Sequence, residues 1–280
     1  MRAYRVAYDG RPYKGFQRQP AVPTVEDAIF EALCALGVLS RDAEKPEGYA
    51  AAGRTDAGVS ALAQTIAFEA PDWLTPRALN AELPPEIRAW AAADVPEDFH
   101  ATHHATARTY TYSLYAPTEP RECDGPDETD PIDDDRFDAP IERLSGTHDF
   151  HNLTPDDRNT ERTLAIGGTR EEPFLTLEIR SDGFPRQLVR RLVSLVQSVG
   201  SGEQSIETID RVLAPTALPG HEGIAPAPAE PLVLTEVVYP DLAFAVDVDA
   251  AESARAVFER RRVEHLTRAR VAGQIRDGVG

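Results

Sequence analysis

Residues 107–115 alternate between two sets of side chains over nine positions, and this run constrains the fold more than any other. It reads Ala-Arg-Thr-Tyr-Thr-Tyr-Ser-Leu-Tyr. A period of two places successive side chains on opposite faces of a β-strand, so Arg108, Tyr110, Tyr112 and Leu114 share one face. That face could stack on a nucleic-acid base, or its tyrosines could form a ladder with a neighbouring strand. The strand alone leaves both interpretations open.

Other segments show strand and helix patterns that alternate along the chain. Alternating or apolar runs predict strands over 3–8, 61–70, 87–93, 107–115, 163–166, 174–179 and 232–238, with a hairpin across Gly167-Gly168. Helical spacing predicts helices over 25–36 with Thr24 as N-cap, and over 77–82, 141–144, 187–199, 206–213 and from about 251. This order predicts an α+β fold: two α/β halves with mainly antiparallel sheets that meet at a central cleft. We place an N-terminal domain at 1–104 and a C-terminal domain at 105–280.

The segment 53–60 is predicted to be a tight loop between strands that carries an acid and a base. Gly53 and Gly58 bracket Arg54 and Asp56. Glycine permits positive φ and close approach of the backbone to a ligand, which would place both charged side chains at the tip of a loop on a rigid scaffold. An ordinary polar turn with a solvated Arg and Asp is the alternative interpretation of this loop.

Two other segments suggest contacts with nucleic acid. The loop 12–19 interleaves Tyr13 and Phe16 with Gln17, Arg18 and Gln19, a composition suited to gripping single-stranded nucleotides. Basic residues also cluster near the N-terminus and around the helix 187–199, whose polar face carries Arg186 and Arg190 four residues apart. These clusters could contact phosphates or could form a solvated surface; their members are Arg2, Arg5, Arg11, Lys14 and Arg18, and Arg180, Arg186, Arg190 and Arg191.

The charge balance is unusual for a protein that binds nucleic acid. The formal net charge is −18, and 27 of the 29 basic residues are arginine because Lys14 and Lys45 are the only lysines. An acid-rich, lysine-poor surface keeps a protein hydrated in molar salt, where the Debye length is only about 3 Å. We therefore predict a salt-adapted, halophilic protein in which repulsion of a polyanion is screened. Ten acids lie within residues 117–138, which predicts a solvated loop there.

The sequence argues against several other classes of protein. No apolar run reaches the roughly 20 residues of a membrane span, and the N-terminus enters a strand pattern at once, so a cytoplasmic protein with no membrane partner is expected. Cys34 and Cys123 form no CxxC pair that would indicate a disulfide or a zinc site. A metal hydrolase stays open as an alternative because five of the seven histidines fall in two clusters: His100, His103 and His104, and His148 and His151.

Four segments, in order, resemble the tRNA pseudouridine synthase A (TruA) family. They are Tyr8-Asp9-Gly10 with 13–19 (Tyr-Lys-Gly-Phe-Gln-Arg-Gln), 53–59 (Gly-Arg-Thr-Asp-Ala-Gly-Val), 98–101 (Asp-Phe-His-Ala) running into 107–112, and 183–191 (Gly-Phe-Pro-Arg-Gln-Leu-Val-Arg-Arg). Weaker similarity extends the match over about residues 1–239. The chain departs from the usual family pattern at Ser60, where His is common, and also at Pro185 and Pro231.

The resemblance implies an enzyme that isomerises uridine in the anticodon stem-loop of tRNA, at tRNA positions 38–40. It implies Asp56 as nucleophile, Tyr110 as the aromatic residue beneath the target base, Arg190 as the ion-pair partner of Asp56, and Arg54 in displacing the flipped nucleotide. The pseudouridine synthase fold and a homodimer would come with the family, and the reaction needs no cofactor and no metal. Gln17, Arg18, Gln19, Arg108 and Arg186 are the further predicted RNA contacts. A non-catalytic RNA-binding protein of the same fold is the alternative.

Overall fold

The structure is a computed structural model that describes residues 1–117 and 134–279. Most of the predicted acidic loop 117–138 and Cys123 therefore lie outside the described residues. The strands are β1 (Arg2–Tyr8), β2 (Ala50–Ala51), β3 (Ser60–Phe68), β4 (Ile87–Asp94), β5 (Ala107–Tyr115), β6 (Gly146–Asp149), β7 (Glu161–Glu171), β8 (Phe174–Ser181), β9 (Leu232–Val238) and β10 (Ala245–Val246). The helices are α1 (Val25–Ala35), α2 (Pro76–Asn80), α3 (Asp134–Leu144), α4 (Leu188–Gly200), α5 (Glu207–Leu213) and α6 (Val248–Gly278).

The strands form one extended sheet in the order β10-β4-β1-β3-β9-β5-β8-β7-β6, with β2 paired to β3. Neighbours are antiparallel except β3 and β9, which run parallel with Ser60 opposite Val233. The predicted α+β class with mainly antiparallel pairing is confirmed. Because β9 pairs with β3 on one side and β5 on the other, the N-terminal and C-terminal strands share a continuous sheet.

Helices cover the sheet through apolar faces that the sequence predicted. Thr24 caps α1 by accepting a hydrogen bond from the backbone N of Asp27. The apolar stripe of α4 is buried at Leu188, Val189, Leu192, Val193, Leu195, Val196 and Val199. One core cluster contains this stripe, and a second contains the buried face of α1 with Tyr4, Tyr8 and Phe16. The division at residue 104 stays a prediction, and α6, from the C-terminal segment, packs on β4.

Two predicted boundaries were wrong. Gly167 and Gly168 lie inside β7, and the hairpin turns at Glu172 and Pro173 instead. A Cβ atom on Gly168 would lie 3.0 Å from Cδ1 of Ile141, so the glycine allows α3 to pack closely on the strand. The helix predicted over 141–144 starts earlier, at Asp134.

The structure bears on the metal-hydrolase alternative and on the predicted lack of a membrane span. Among residues 1–117 and 134–279, no group of three or more His, Cys, Asp and Glu side chains is arranged to hold a metal ion. No helix in the same part of the chain has both the length and the apolarity needed to cross a membrane.

Candidate active site

A cleft of about 1110 Å³ opens where the loop before β3, the strand β5 and the start of α4 meet. Both halves of the chain contribute to its walls. All but one of the predicted site residues line it: Gln17, Arg18, Gln19, Arg54, Asp56, Tyr110, Arg186 and Arg190. Arg108 is the exception.

The loop that carries Asp56 is held by hydrogen bonds from three directions. The hydroxyl of Tyr8 lies 2.8 Å from Oγ1 of Thr55, and the backbone N of Phe16 donates to the carbonyl of Thr55 at 3.0 Å. Buried Gln64 donates from Nε2 to the carbonyl of Gly53 at 2.8 Å. These bonds fix the backbone that leads into Asp56, and such preorganisation is what a reacting side chain requires.

Only one of the two glycines that bracket the loop needs its backbone freedom. Gly58 has φ +83°, a conformation that favours glycine, whereas Gly53 has no positive φ and no close neighbour.

A glycine outside the loop, Gly10, is required for close packing against it: a Cβ atom on Gly10 would lie 2.0 Å from the carbonyl O of Val59. The backbone N of Gly10 also donates to Oγ of Ser60 at 3.0 Å. Ser60 thus joins the turn after β1 to the end of the Asp56 loop.

Asp56 and Arg190 form an ion pair in the cleft. Nη1 of Arg190 lies 3.5 Å from Oδ2 of Asp56, with the two side chains 16% and 32% exposed. Arg190 is itself fixed by Ala227, since its Nε donates to the Ala227 carbonyl at 2.7 Å and its carbonyl accepts from the Ala227 N at 3.0 Å. The backbone of Ala227 therefore fixes the orientation of the guanidinium that pairs with Asp56.

Tyr110 and Phe184 form an aromatic corner next to this pair. Their ring centroids are 5.2 Å apart and their planes meet at 87°, an edge-to-face arrangement. Burial raises the pKa of Tyr110 to about 12, so its phenol stays neutral at physiological pH. Phe184 was not among the predicted site residues. Its position in the Gly-Phe-Pro-Arg segment was the signal that could have identified it.

Arg108 points into the protein instead of into the cleft. It is 8% exposed, and Nε and Nη2 donate to the Ala52 carbonyl at 3.0 and 2.8 Å. Nη2 also donates to the Thr102 carbonyl at 2.7 Å, and Nη1 donates to the Asp182 carbonyl. The guanidinium thereby ties together three backbone segments that frame the cleft, and its predicted contact with RNA has no support in the structure.

Two other predicted RNA contacts are paired within the protein. Nε of Arg18 lies 2.6 Å from Oδ1 of Asp27, and Nε of Arg186 lies 2.5 Å from Oδ1 of Asp156. Partial burial opposes the ionisation of Asp156, but hydrogen bonds from the Arg186 backbone and side chain lower its pKa.

The remaining three predicted contacts are the glutamines and Arg54. Gln19 donates from Nε2 to the Lys14 carbonyl at 2.9 Å. Gln17 and Arg54 are exposed in the cleft, and the structure records no hydrogen bond of either side chain to any described residue. Their polar groups are thus available to a ligand.

Several arginines of the two predicted basic clusters have structural partners. Arg2 pairs with Asp94 at 2.8 Å, Arg11 with Asp9 at 2.6 Å, and Arg180 with Glu236 at 2.5 Å. Arg5 donates to the carbonyls of Ala63 and Val237 at 3.1 and 2.6 Å, and Arg191 donates to the carbonyl of Ile224. Sequence clustering alone thus overstated how many cations are available to a polyanion.

Comparison with known proteins identifies the family of proteins that share this sequence. The sequence model of a family described as tRNA pseudouridine synthase matches residues 141–240. A protein of Haloarcula marismortui named tRNA pseudouridine synthase A is 57% identical over 100% of both chains. Proteins of the same name from Natronomonas pharaonis and Archaeoglobus fulgidus are 58% and 35% identical, covering 98% and 95% of this chain and 98% and 93% of theirs.

The family match and the full-length relatives define the class of protein: it is a pseudouridine synthase, an isomerase that acts on tRNA. Within that class, the chain belongs to the tRNA pseudouridine synthase A family. The relatives that are more than half identical are haloarchaeal, in agreement with the halophilic composition.

Proposed function

We propose that this chain converts uridine to pseudouridine in the anticodon stem-loop of tRNA, with Asp56 as the nucleophile. The observation that carries the proposal is the ion pair of Asp56 with Arg190 at 3.5 Å, in a cleft that both halves of the chain line. The carboxylate is the nucleophilic form of an aspartate side chain. Arg190 also orients the carboxylate, because Ala227 holds its guanidinium in place.

The carboxylate would attack either the ribose C1′ or the uracil C6. In the first route, an Asp56 oxygen forms a bond to C1′ while the C1′–N1 bond breaks and uracil leaves with the electron pair. Uracil then rotates, C5 attacks C1′, and the carboxylate is released. C5 loses a proton and N1 gains one, so the product is an isomer of the substrate and no oxidant or reductant is consumed.

A uridine within a stem must leave the base stack before it can react. Unstacking and unpairing cost a few kcal/mol, which contacts to the flipped base and its vacated place must offset. Tyr110 and Phe184 supply apolar ring surface beside Asp56 for the flipped base. Arg54 is exposed on the same loop as Asp56 and extends from it, a position suited to entering the space left by the nucleotide.

Other cleft residues would hold the RNA around the target. Gln17 carries donors and an acceptor without a partner among residues 1–117 and 134–279, which suits it to base edges or ribose hydroxyls. Arg18, Gln19 and Arg186 line the same cleft and keep polar groups at its surface despite their internal partners. We therefore retain these residues, with Arg54, as the RNA-contact set.

The test is product formation by the pure protein. Unmodified tRNA would be incubated with the chain in molar KCl, digested to nucleosides and separated by liquid chromatography, where pseudouridine is distinct from uridine. Mapping the modified position would show whether it lies in the anticodon stem-loop. A protein that binds tRNA and forms no pseudouridine would support the non-catalytic alternative instead.

We infer in addition that the chain forms a homodimer, as its resemblance to the family implies. All the residues of α6 that are buried in the single chain lie in its first seven positions, at Ala250, Ala251 and Ala254. Beyond them Val263, Leu266, Val271 and Ile275 are 50%, 54%, 48% and 63% exposed. A second chain could cover this apolar surface. Sedimentation in molar KCl would give twice the mass of 30.6 kDa for a dimer.

A further inference from the structure

Three arginines of the cleft are each neutralised by an aspartate. Arg18 pairs with Asp27, Arg186 with Asp156 and Arg190 with Asp56, at 2.6, 2.5 and 3.5 Å. In a chain with 47 acids and 29 basic residues, such pairing is the expected fate of a surface cation. Basic side chains in the cleft that have no carboxylate partner therefore indicate a site for an anionic ligand.

Lys45, His100 and His103 form a second group in the same cleft, and no carboxylate pairs with any of them within residues 1–117 and 134–279. The rings of His100 and His103 have centroids 4.2 Å apart. Nδ1 of His100 accepts a hydrogen bond from the Thr102 N at 3.3 Å, so the neutral ring carries its proton on Nε2 and can donate from there. Glu44 also lines the cleft, and it forms no described ion pair with Lys45.

This grouping has an electrostatic cost that an anion would relieve. Burial lowers the pKa of His100, and the nearby His103, His104 and Lys45 lower it further. Like charges placed close together destabilise one another, and a bound anion reverses the sign of that interaction. A divalent cation would not relieve it, because the ammonium group of Lys45 would repel the metal ion.

The group also lies next to the predicted catalytic loop. Oγ1 of Thr102 donates to the carbonyl of Ala51 at 2.5 Å, and Arg108 bridges the carbonyls of Thr102 and Ala52. The segment 100–104 is therefore fixed to the backbone that leads into Arg54 and Asp56. A phosphate held there would lie beside the loop that carries Arg54 and Asp56.

We propose that Lys45, His100 and His103 bind a backbone phosphate of tRNA on the strand that enters the cleft. The inference rests on the proposed function for its ligand. It gives a role to histidines whose clustering in the sequence also suggested a metal site. It also explains why one of the only two lysines of the chain stands at the cleft.

Binding of fluorescently labelled unmodified tRNA would be measured by anisotropy over a KCl series, for the wild type, Lys45→Gln and the double variant His100→Gln/His103→Gln. Arg41→Gln is the matched control, since Arg41 is exposed outside the cleft and forms no ion pair with a described residue. Circular dichroism at each KCl concentration would verify folding. Pseudouridine formation by the wild type would be assayed in parallel.

We expect the two cleft variants to weaken affinity about tenfold at the lowest KCl that keeps the protein folded, and Arg41→Gln to change it much less. The slope of log Kd against log [KCl] should change by about 0.7 for each lost phosphate contact. Unchanged slopes in both cleft variants, or an equal change in Arg41→Gln, would overturn the inference. If pseudouridine forms but these slopes do not move, only this inference fails; if no pseudouridine forms, the proposed function fails.

Discussion

Nη1 of Arg190 lies 3.5 Å from Oδ2 of Asp56, although the two residues are 134 positions apart in the chain. The contact joins the loop before β3 to the first turns of α4. It is possible because β9 pairs with both β3 and β5 and so holds the two halves in one sheet. The predicted chemistry therefore depends on the long-range topology of the sheet.

Asp56→Asn should abolish pseudouridine formation and leave tRNA affinity within a few-fold of the wild type. The amide keeps the shape of the side chain but cannot act as a nucleophile. Nucleoside chromatography of treated tRNA would measure the product, and anisotropy would measure binding. Asp72→Asn, an exposed position outside the cleft, is the control and should retain activity. Turnover by pure Asp56→Asn would contradict the assignment.

Arg190→Lys should lower the rate at saturating tRNA by at least about tenfold, with a smaller effect on affinity. Lysine keeps the charge but cannot donate to the Ala227 carbonyl and reach Asp56 with the same planar group. Single-turnover kinetics would separate the chemical step from binding. Arg262→Lys, which alters a surface pair with Glu259, should leave the rate unchanged. An unaltered rate in Arg190→Lys would show that another residue orients the acid.

Arg108→Met should lower the free energy of unfolding by about 2 to 4 kcal/mol, because it leaves the carbonyls of Ala52, Thr102 and Asp182 without their donor. Denaturant unfolding in molar KCl would measure the loss. Arg255→Met on the exposed face of α6 is the control, with an expected change below about 0.5 kcal/mol. Equal stability of the two variants would contradict the structural role of Arg108.

The affinity for tRNA should increase as the pH falls below neutrality. Burial and the neighbouring His103, His104 and Lys45 lower the pKa of His100 in the free protein. A bound phosphate would raise that pKa, which means that the protein with protonated His100 binds phosphate more tightly than the protein with neutral His100. The affinity should therefore rise as the pH falls toward and below about 6.5, the ordinary pKa of histidine. His100→Gln should flatten the dependence measured by anisotropy. A dependence identical to the wild type would show that other groups cause it.

Activity and folding should both rise from dilute buffer to molar KCl. Salt weakens phosphate contacts, but it also screens the repulsion caused by a net charge of −18, and the second effect should dominate at low salt. Circular dichroism and pseudouridine formation measured over the same KCl series would test this. Full folding and maximal activity in dilute buffer would contradict the salt adaptation and leave the catalytic assignment intact.

Local patterns in the sequence were sufficient for the secondary elements around the site. The period of two in 107–115 and the apolar stripe of α4 both correspond to observed elements, because each pattern reflects burial of one face. The pair Gly167-Gly168 misled the hairpin prediction, since the same dipeptide serves as a turn or as a place for close helix packing. Which of these it serves depends on α3, a separate element of the chain.

The sequence by itself determined that Asp56, Tyr110 and Arg190 lie in motifs of one family, and that the chain has an α+β pattern and an acid-rich, lysine-poor composition. Only the tertiary structure decided what each arginine contacts. Arg54 and Arg108 look equivalent in sequence, yet one is exposed in the cleft and the other is buried against carbonyls 56 and 74 positions away. A guanidinium binds whichever acceptors the fold brings near it, and those acceptors come from distant segments that a local pattern does not encode.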